Sequence, residues 1–154
     1  MRQRSVRRHH APSPFHTPSA LPRRVLLSPL EVRVDATAQG STVLHPVGEI
    51  ESATVPVFRQ AVAEIGPDQR VIIDMAGVPF VDSCGIGALI GAVRRVRELG
   101  GTIAMAAVTN PVGRVLNLTG LDRIVEIAET VEQASDRLEA PDNGSRPKGD
   151  RIAI

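Results

Sequence analysis

Several kinds of chemistry are excluded by what this chain has little of. It holds three Phe and neither Tyr nor Trp, so an aromatic platform of the sort that stacks single-stranded bases is nearly absent. Its one cysteine, Cys84, rules out a disulfide framework and a cysteine zinc cluster. No apolar run reaches the ~18 residues of a membrane-spanning helix. Arg23-Arg24 followed by Val25, Leu26 and Leu27 starts like an export signal, but Ser28 and Pro29 end the run well short of the roughly 7–15 apolar residues needed. The expectation is therefore a cytoplasmic protein with no membrane partner. At 154 residues it is long enough for one buried core and too short for two.

What is present divides by position. Residues 1–30 hold six Arg and no acid, residues 31–140 nine Arg and fifteen acids, and residues 141–154 three bases and two acids, giving charges of +6, −6 and +1. The net charge of +1 thus hides a basic arm on an acidic body. The arm is rich in Pro, Ser and His, a mix that buries too little apolar surface to offset chain entropy. Residues 1–30 and 140–154 are expected to be disordered, with the domain at 31–139. His9-His10 and the arm's arginines raise metal and nucleic-acid readings; a solvated tail explains both more simply.

Between the ends the pattern is regular. Residues 31–36 (EVRVDA) alternate, and residues 42–47 (TVLHPV) follow a Gln39-Gly40-Ser41 turn, predicting an opening strand pair. Phe58, Ala61, Val62 and Ile65 then mark a first helix, with Thr54 as N-cap and Pro56 in the first turn. Residues 70–75 (RVIIDM) form an apolar, β-branched run suited to a strand covered on both faces. A second helix follows the loop at 76–82, with Ile86, Leu89, Ile90, Val93 and Val96 inward, and Gly100-Gly101 stops it. Residues 102–107 (TIAMAA) are the next strand; Asn110-Pro111 caps and opens a third helix that ends at Gly120. Residues 124–127 (IVEI) are the last strand, and Thr130 with Gln133 caps a closing helix that turns Val131, Ala134 and Leu138 inward. The order β-β-α-β-α-β-α-β-α implies an α/β sandwich on a mixed sheet.

Three stretches are more specific: Val81-Asp82-Ser83-Cys84-Gly85, the Gly100-Gly101 stop, and Leu118-Thr119-Gly120-Leu121. In this order and at these separations, with Gly48-Glu49-Ile50-Glu51 and Thr54 ahead of them, the chain over about residues 31–139 resembles the STAS domain, the fold of bacterial anti-sigma-factor antagonists. The resemblance implies a STAS-type sandwich and a non-enzymatic partner switch. In the phosphorylatable members that this chain is similar to, the serine directly after that Asp is phosphorylated by an anti-sigma factor kinase with a histidine-kinase-like ATPase fold. Here that serine is Ser83. ATP and Mg²⁺ then belong to the kinase, a phosphatase resets the switch, and this chain needs no cofactor. Docking is implied through the second helix and the loop before it. Glu51 stands where some relatives have Asp, and Cys84 where many have Ser or Thr.

The physics of Ser83 can be read alongside. It lies where a polar loop enters a helix, so Ser83 or Asp82 is expected to cap the free amides of the first turn. A phosphate there gains from those amides and the helix dipole. The same charge, roughly −1.5 to −2, resists burial against a partner, especially beside Asp82. Further along, Gly87, Ala88, Gly91 and Ala92 are read as the side away from the apolar stripe, small enough for another backbone to approach, with Arg94 and Arg95 below. The expected partner surface is thus Glu51, Asp82, Ser83, Cys84, Gly85, Gly87, Ala88, Gly91, Arg94 and Arg95. Close packing within the domain is the competing explanation of the small residues.

Other chemistries fit less well. Gly85-x-Gly87 with Gly91 misses the dinucleotide fingerprint, its third glycine one place late and its acid missing. Cys84 with His45 as base would make a small hydrolase or ligand sensor, but nothing in the sequence brings the two together. Asp74 and Asp82 flank a short loop without a third ligand in pattern for Mg²⁺. Asn117-Leu118-Thr119 is a glycosylation sequon by letter only. A scaffold module of a larger signalling or lipid-transport assembly, with Ser83 never modified, is the other alternative. The chain is expected to be a monomer or weak dimer.

Overall fold

The computed structural model describes residues 29–140. The expected arm and tail lie outside these residues, apart from Pro29, Leu30 and Ala140 at their borders. The chain forms β1 (Glu31–Ala36), β2 (Thr42–Val47), α1 (Val55–Ala63), β3 (Arg70–Asp74), α2 (Ser83–Glu98), β4 (Thr102–Ala106), α3 (Asn110–Thr119), a 3₁₀ turn (Leu121–Arg123), β5 (Glu126–Ala128) and α4 (Val131–Glu139). The five strands lie in sequence order in one sheet. β1 runs antiparallel to β2, and the remaining pairs are parallel.

This order decides where the helices go. Each parallel crossover steps one strand in the same direction, and right-handed crossovers then place α1, α2 and α3 on one face. That face carries the larger core, which includes Phe58, Leu89, Val93 and Leu116 over Leu44, Ile73 and Met105. α4 follows the last strand and covers the other face, where Ala134 and Leu138 meet Val43, Ile72, Ala104 and Ala106. β3 and β4, covered on both sides, are accordingly near-continuous apolar runs. Among the described residues no helix is long and apolar enough to cross a membrane.

β2 keeps its expected span across Pro46, whereas several cap and boundary details differ from the sequence expectation, each for an identifiable reason. Pro46 sits inside β2, yet the β2–β3 ladder ends at Leu44 and Ile73, so no bond to β3 is lost at the proline. β5 starts at Glu126 and not at 124, because the amides of Ile124 and Val125 are bonded to the Leu121 carbonyl. That turn follows Gly120, whose φ of +73° closes α3 in the left-handed conformation. Thr54 occupies the cap position of α1 without capping it, since its hydroxyl donates to the Glu49 carbonyl at 2.6 Å. α3 takes Thr109, not Asn110, as its cap residue, and the Thr109 hydroxyl donates to the Val78 carbonyl instead of to the helix.

A small buried polar cluster joins the two ends of the domain. Ser135 on α4 places its hydroxyl 3.1 Å from that of Ser41 and 3.2 Å from that of Thr37, in the turn between β1 and β2. Ser41 and Ser135 are fully buried, so the Ser41 hydroxyl depends on Ser135 for its partner. Ser135→Ala is expected to lower unfolding free energy by about 1–3 kcal/mol, the cost of an orphaned buried hydroxyl. Urea denaturation should show a lower midpoint at unchanged slope.

Candidate functional site

The loops after β2 and β3 leave the carboxyl end of neighbouring parallel strands, the usual place for sites in α/β sheets. They are stitched together by their backbones. The Gly48 amide donates to the Gly77 carbonyl (3.0 Å), the Ile50 amide to Phe80 (3.1 Å), and the Asp82 amide to Ile50 (3.3 Å). Ile50 and Val81, paired by an isolated parallel bridge, are both buried and root the loops in the core.

Asp82 finishes this construction. Its side chain caps α2, with Oδ1 accepting the Gly85 amide at 2.7 Å, while Oδ2 accepts the Ser52 amide from the other loop at 3.1 Å. One carboxylate therefore fixes the start of α2 and the position of the preceding loop. Asp82, not Ser83, is the cap residue, and Ser83 is the first residue of the helix with its side chain exposed. Its hydroxyl is left free of capping duty, beside the open amides of the first turn.

The exposed side of α2 follows from helical spacing. Ser83, Gly87, Gly91 and Arg94 are all exposed and fall within a narrow arc of the helix, and Cys84 is exposed at its edge. A Cβ at Gly87 or Gly91 would meet nothing within 4 Å. Glu51 is half-buried at the start of the loop that Asp82 holds. These residues form one continuous candidate surface with Asp82.

Two members of the expected surface, Gly85 and Ala88, are buried, and a third, half-buried Arg95, is tied to α1. Ala88 and its neighbour Ala92 are 3% and 1% exposed, because α2 packs on α1 as well as on the sheet and its buried arc is wider than the Ile/Leu/Val stripe. Gly85 is buried too: a Cβ there would lie 2.1 Å from the Ile50 carbonyl oxygen, so the glycine lets the helix start against the loop. Arg95 donates from Nε to the Val62 carbonyl (3.1 Å) and from Nη2 to Ala63 (2.8 Å), satisfying the end of α1. Close packing within the domain is thus what these three residues do. Between α1 and α2 there remains a shallow groove of about 260 Å³, flanked by Arg59, Gly87, Gly91 and Arg95.

The competing chemistries lose their parts. His45 has Nδ1 2.9 Å from Asp74 Oδ2 and Nε2 3.4 Å from Asp35 Oδ2, so both ring nitrogens face carboxylates and neither serves Cys84. Asp74 also accepts the Ala76 amide, and Asp82 is occupied as described, so the two acids do separate work. Among the described residues no group of three or more His, Cys, Asp or Glu is arranged to hold a metal ion.

Sequence reasoning missed Phe80. This aromatic is 47% exposed in the loop immediately before α2, two residues from Asp82. The signal was available, since one of only three Phe stands at Pro79-Phe80, outside every periodic apolar pattern. Ser52, whose amide ties the neighbouring loop to Asp82, was also missed; a backbone role leaves no trace in residue type.

The chain belongs to the STAS domain family, whose model matches residues 32–134. It is 26% identical over 104 residues to the anti-sigma F factor antagonist of Paenibacillus polymyxa, covering 66% of this chain and 89% of that protein. To the anti-sigma-B factor antagonist of Bacillus subtilis it is 27% identical over 107 residues, covering 67% and 96%. The fold is shared with a crystal structure of an anti-sigma factor antagonist from Mycobacterium paratuberculosis, at TM-score 0.61 and 24% identity over 72% of this chain and 95% of that one. It is shared also with SpoIIAA in its unphosphorylated form (TM-score 0.56, 21% identity, 70% and 95% covered) and its phosphorylated form (0.54, 19%, 70% and 98%).

The two kinds of glycine on α2 predict opposite outcomes. Gly91→Ala should stabilise the domain by roughly 0.5–1 kcal/mol, the gain in helix propensity at an open position. Gly85→Ala should destabilise it by more than about 2 kcal/mol despite the same propensity gain, because the new methyl must displace backbone. Thermal and urea melts of both variants check the sign of each effect.

Proposed function

We propose that this domain is a non-enzymatic anti-sigma factor antagonist, switched off by phosphorylation of Ser83. In the unmodified state it binds an anti-sigma factor kinase with a histidine-kinase-like ATPase fold and frees the sigma factor which that kinase holds. The kinase supplies ATP and Mg²⁺, phosphorylates Ser83 and ends the contact; a phosphatase restores it. The observation that carries this reading is the free, exposed hydroxyl of Ser83, next to the Asp82 cap and in line with Gly87, Gly91 and Arg94. The family membership and the names of the curated relatives support it.

The chemistry follows from the position. Attack of the Ser83 oxygen on the terminal phosphoryl group of the kinase's ATP forms a P–O bond, releases ADP and loses the hydroxyl proton to the partner's site. The product places roughly −1.5 to −2 charges at the start of α2. Within the domain this is tolerated, since the helix dipole and free first-turn amides favour an anion there by about 0.3–1 kcal/mol. Against a partner it is costly. The phosphate adjoins the Asp82 carboxylate, and docking would have to strip water from both. Modification therefore acts on binding and spares the fold.

With the surface centred on Ser83, the exposed residues able to give binding energy are few. Phe80 offers the one exposed large apolar side chain of the loop, and the flat stretch at Gly87 and Gly91 admits a partner's backbone closely. Gly85, Ala88 and Arg95 serve that surface only by holding α2 in place.

Incubated with ATP and an anti-sigma factor kinase that binds it, the protein is expected to gain one phosphate by intact mass, and Ser83→Ala to gain none. A phosphate that persists in Ser83→Ala would overturn the assignment. By calorimetry Ser83→Ala should still bind the kinase, whereas Ser83→Asp should bind about tenfold more weakly, a loss of ~1.4 kcal/mol. Phe80→Ala should cost about 1–2 kcal/mol of the same affinity, as truncation of an interface aromatic does, and leave the melting temperature unchanged.

A further inference from the structure

The two edges of the sheet are built differently. β5 is a three-residue edge, and Arg137 from α4 donates to the Ile127 carbonyl while pairing with Glu126, which blunts it. β1 is six residues long, pairs with β2 in unbroken register and contains neither proline nor bulge. Among the described residues no strand lies on its outer side. A regular edge of this length presents a row of unpaired amides and carbonyls, a template for another strand.

The side chains of β1 say which strand fits. Odd-numbered Glu31, Arg33 and Asp35 lie opposite Val47, His45 and Val43 and so share the α4 face, while Val32, Val34 and Ala36 share the other. Arg33, Val34, Asp35 and Ala36 are exposed, Val34 at 50%. When two copies pair antiparallel about a two-fold axis normal to the sheet, opposite residues must lie on the same face, which restricts the registers to those centred on a residue. Centring on Arg33 sets Arg33 against Arg33 and Glu31 against Asp35, repulsive throughout. Centring one residue on, at Val34, sets Arg33 of each copy against Asp35 of the other, twice, with Val34 on Val34 and Val32 on Ala36.

We propose that β1 is a homodimerisation edge, joining two copies antiparallel about Val34 into one continuous ten-stranded sheet held in register by reciprocal Arg33–Asp35 pairs. The occupant is a second copy of this chain, because the charge order of the strand is complementary to itself in that register. β1 lies at the far side of β2 from β3, so the edge and the partner surface around Ser83 are separate features. A contact of one strand pair is small, at the low end of protein interfaces, so the association is expected to be weak and reversible.

Sedimentation equilibrium of the full chain over a concentration series tests this. The expected result is a monomer–dimer equilibrium that Arg33→Asp weakens by about fivefold or more, since each cross-strand pair turns from attraction to repulsion. Asp35→Arg should do the same. The double variant Arg33→Asp/Asp35→Arg should return to within about twofold of the original constant, a restoration that a merely misfolded strand cannot give; circular dichroism melts verify that all three variants are folded. A monomer at every concentration, a dimer indifferent to the single reversals, or a double variant no better than the singles would each overturn the proposal.

Discussion

The Asp82 carboxylate is the interaction on which the site depends. One oxygen takes the Gly85 amide and the other the Ser52 amide, so a single side chain starts α2 and locks the loop that follows β2. A charged acceptor of this kind is worth more than a neutral cap, and it has a second effect. By taking the capping role it leaves Ser83 one residue into the helix with a hydroxyl that makes no hydrogen bond among the described residues. The group proposed to be modified and the charge that would oppose a phosphate at an interface are therefore neighbours by construction.

Rigidity around that point comes from how small residues are shared out. Gly85 lets the backbone of α2 reach the Ile50 carbonyl, and Ala88 and Ala92 let the helix close on α1, while Arg95 satisfies the last carbonyls of α1. Gly87 and Gly91 lie outward of these, open to solvent at the helix-propensity cost of roughly 1 kcal/mol each. Five small residues in one helix thus divide between holding the helix still and leaving its outer side flat. On the proposed reading, a phosphate added to such a surface would meet a fixed frame, and the added charge would alter what can dock without reshaping the domain.

The strand and helix order was legible because each element carries a clean period: alternation in residues 31–36, β-branched runs at 70–75 and 102–107, and caps or glycine stops at the helix ends. What failed was local and had competing hydrogen bonds behind it. The Leu121 carbonyl captured two amides that the last strand was expected to use, and the Thr54 and Thr109 hydroxyls bonded loop carbonyls in preference to capping. Within the site, the exposed Ser83, Gly87, Gly91 and Arg94 follow from helical spacing, but the inward turn of Ala88 and Gly85 depends on where α1 and the Ile50 loop lie. One helix's own pattern holds no record of its neighbours. Singling out Ser83 among exposed serines rested on the family resemblance; the free hydroxyl beside Asp82 is what gives that choice a physical basis.

The central claim, that a phosphate on Ser83 changes binding and leaves the fold in place, is tested most directly by comparing backbone amide shifts of the unmodified and phosphorylated protein. The account predicts changes confined to the Asp82 junction, in residues 50–54 and 80–87, with the amides of β3, β4 and α4 unmoved. Shifts spreading through those elements, or loss of dispersed signals, would contradict it.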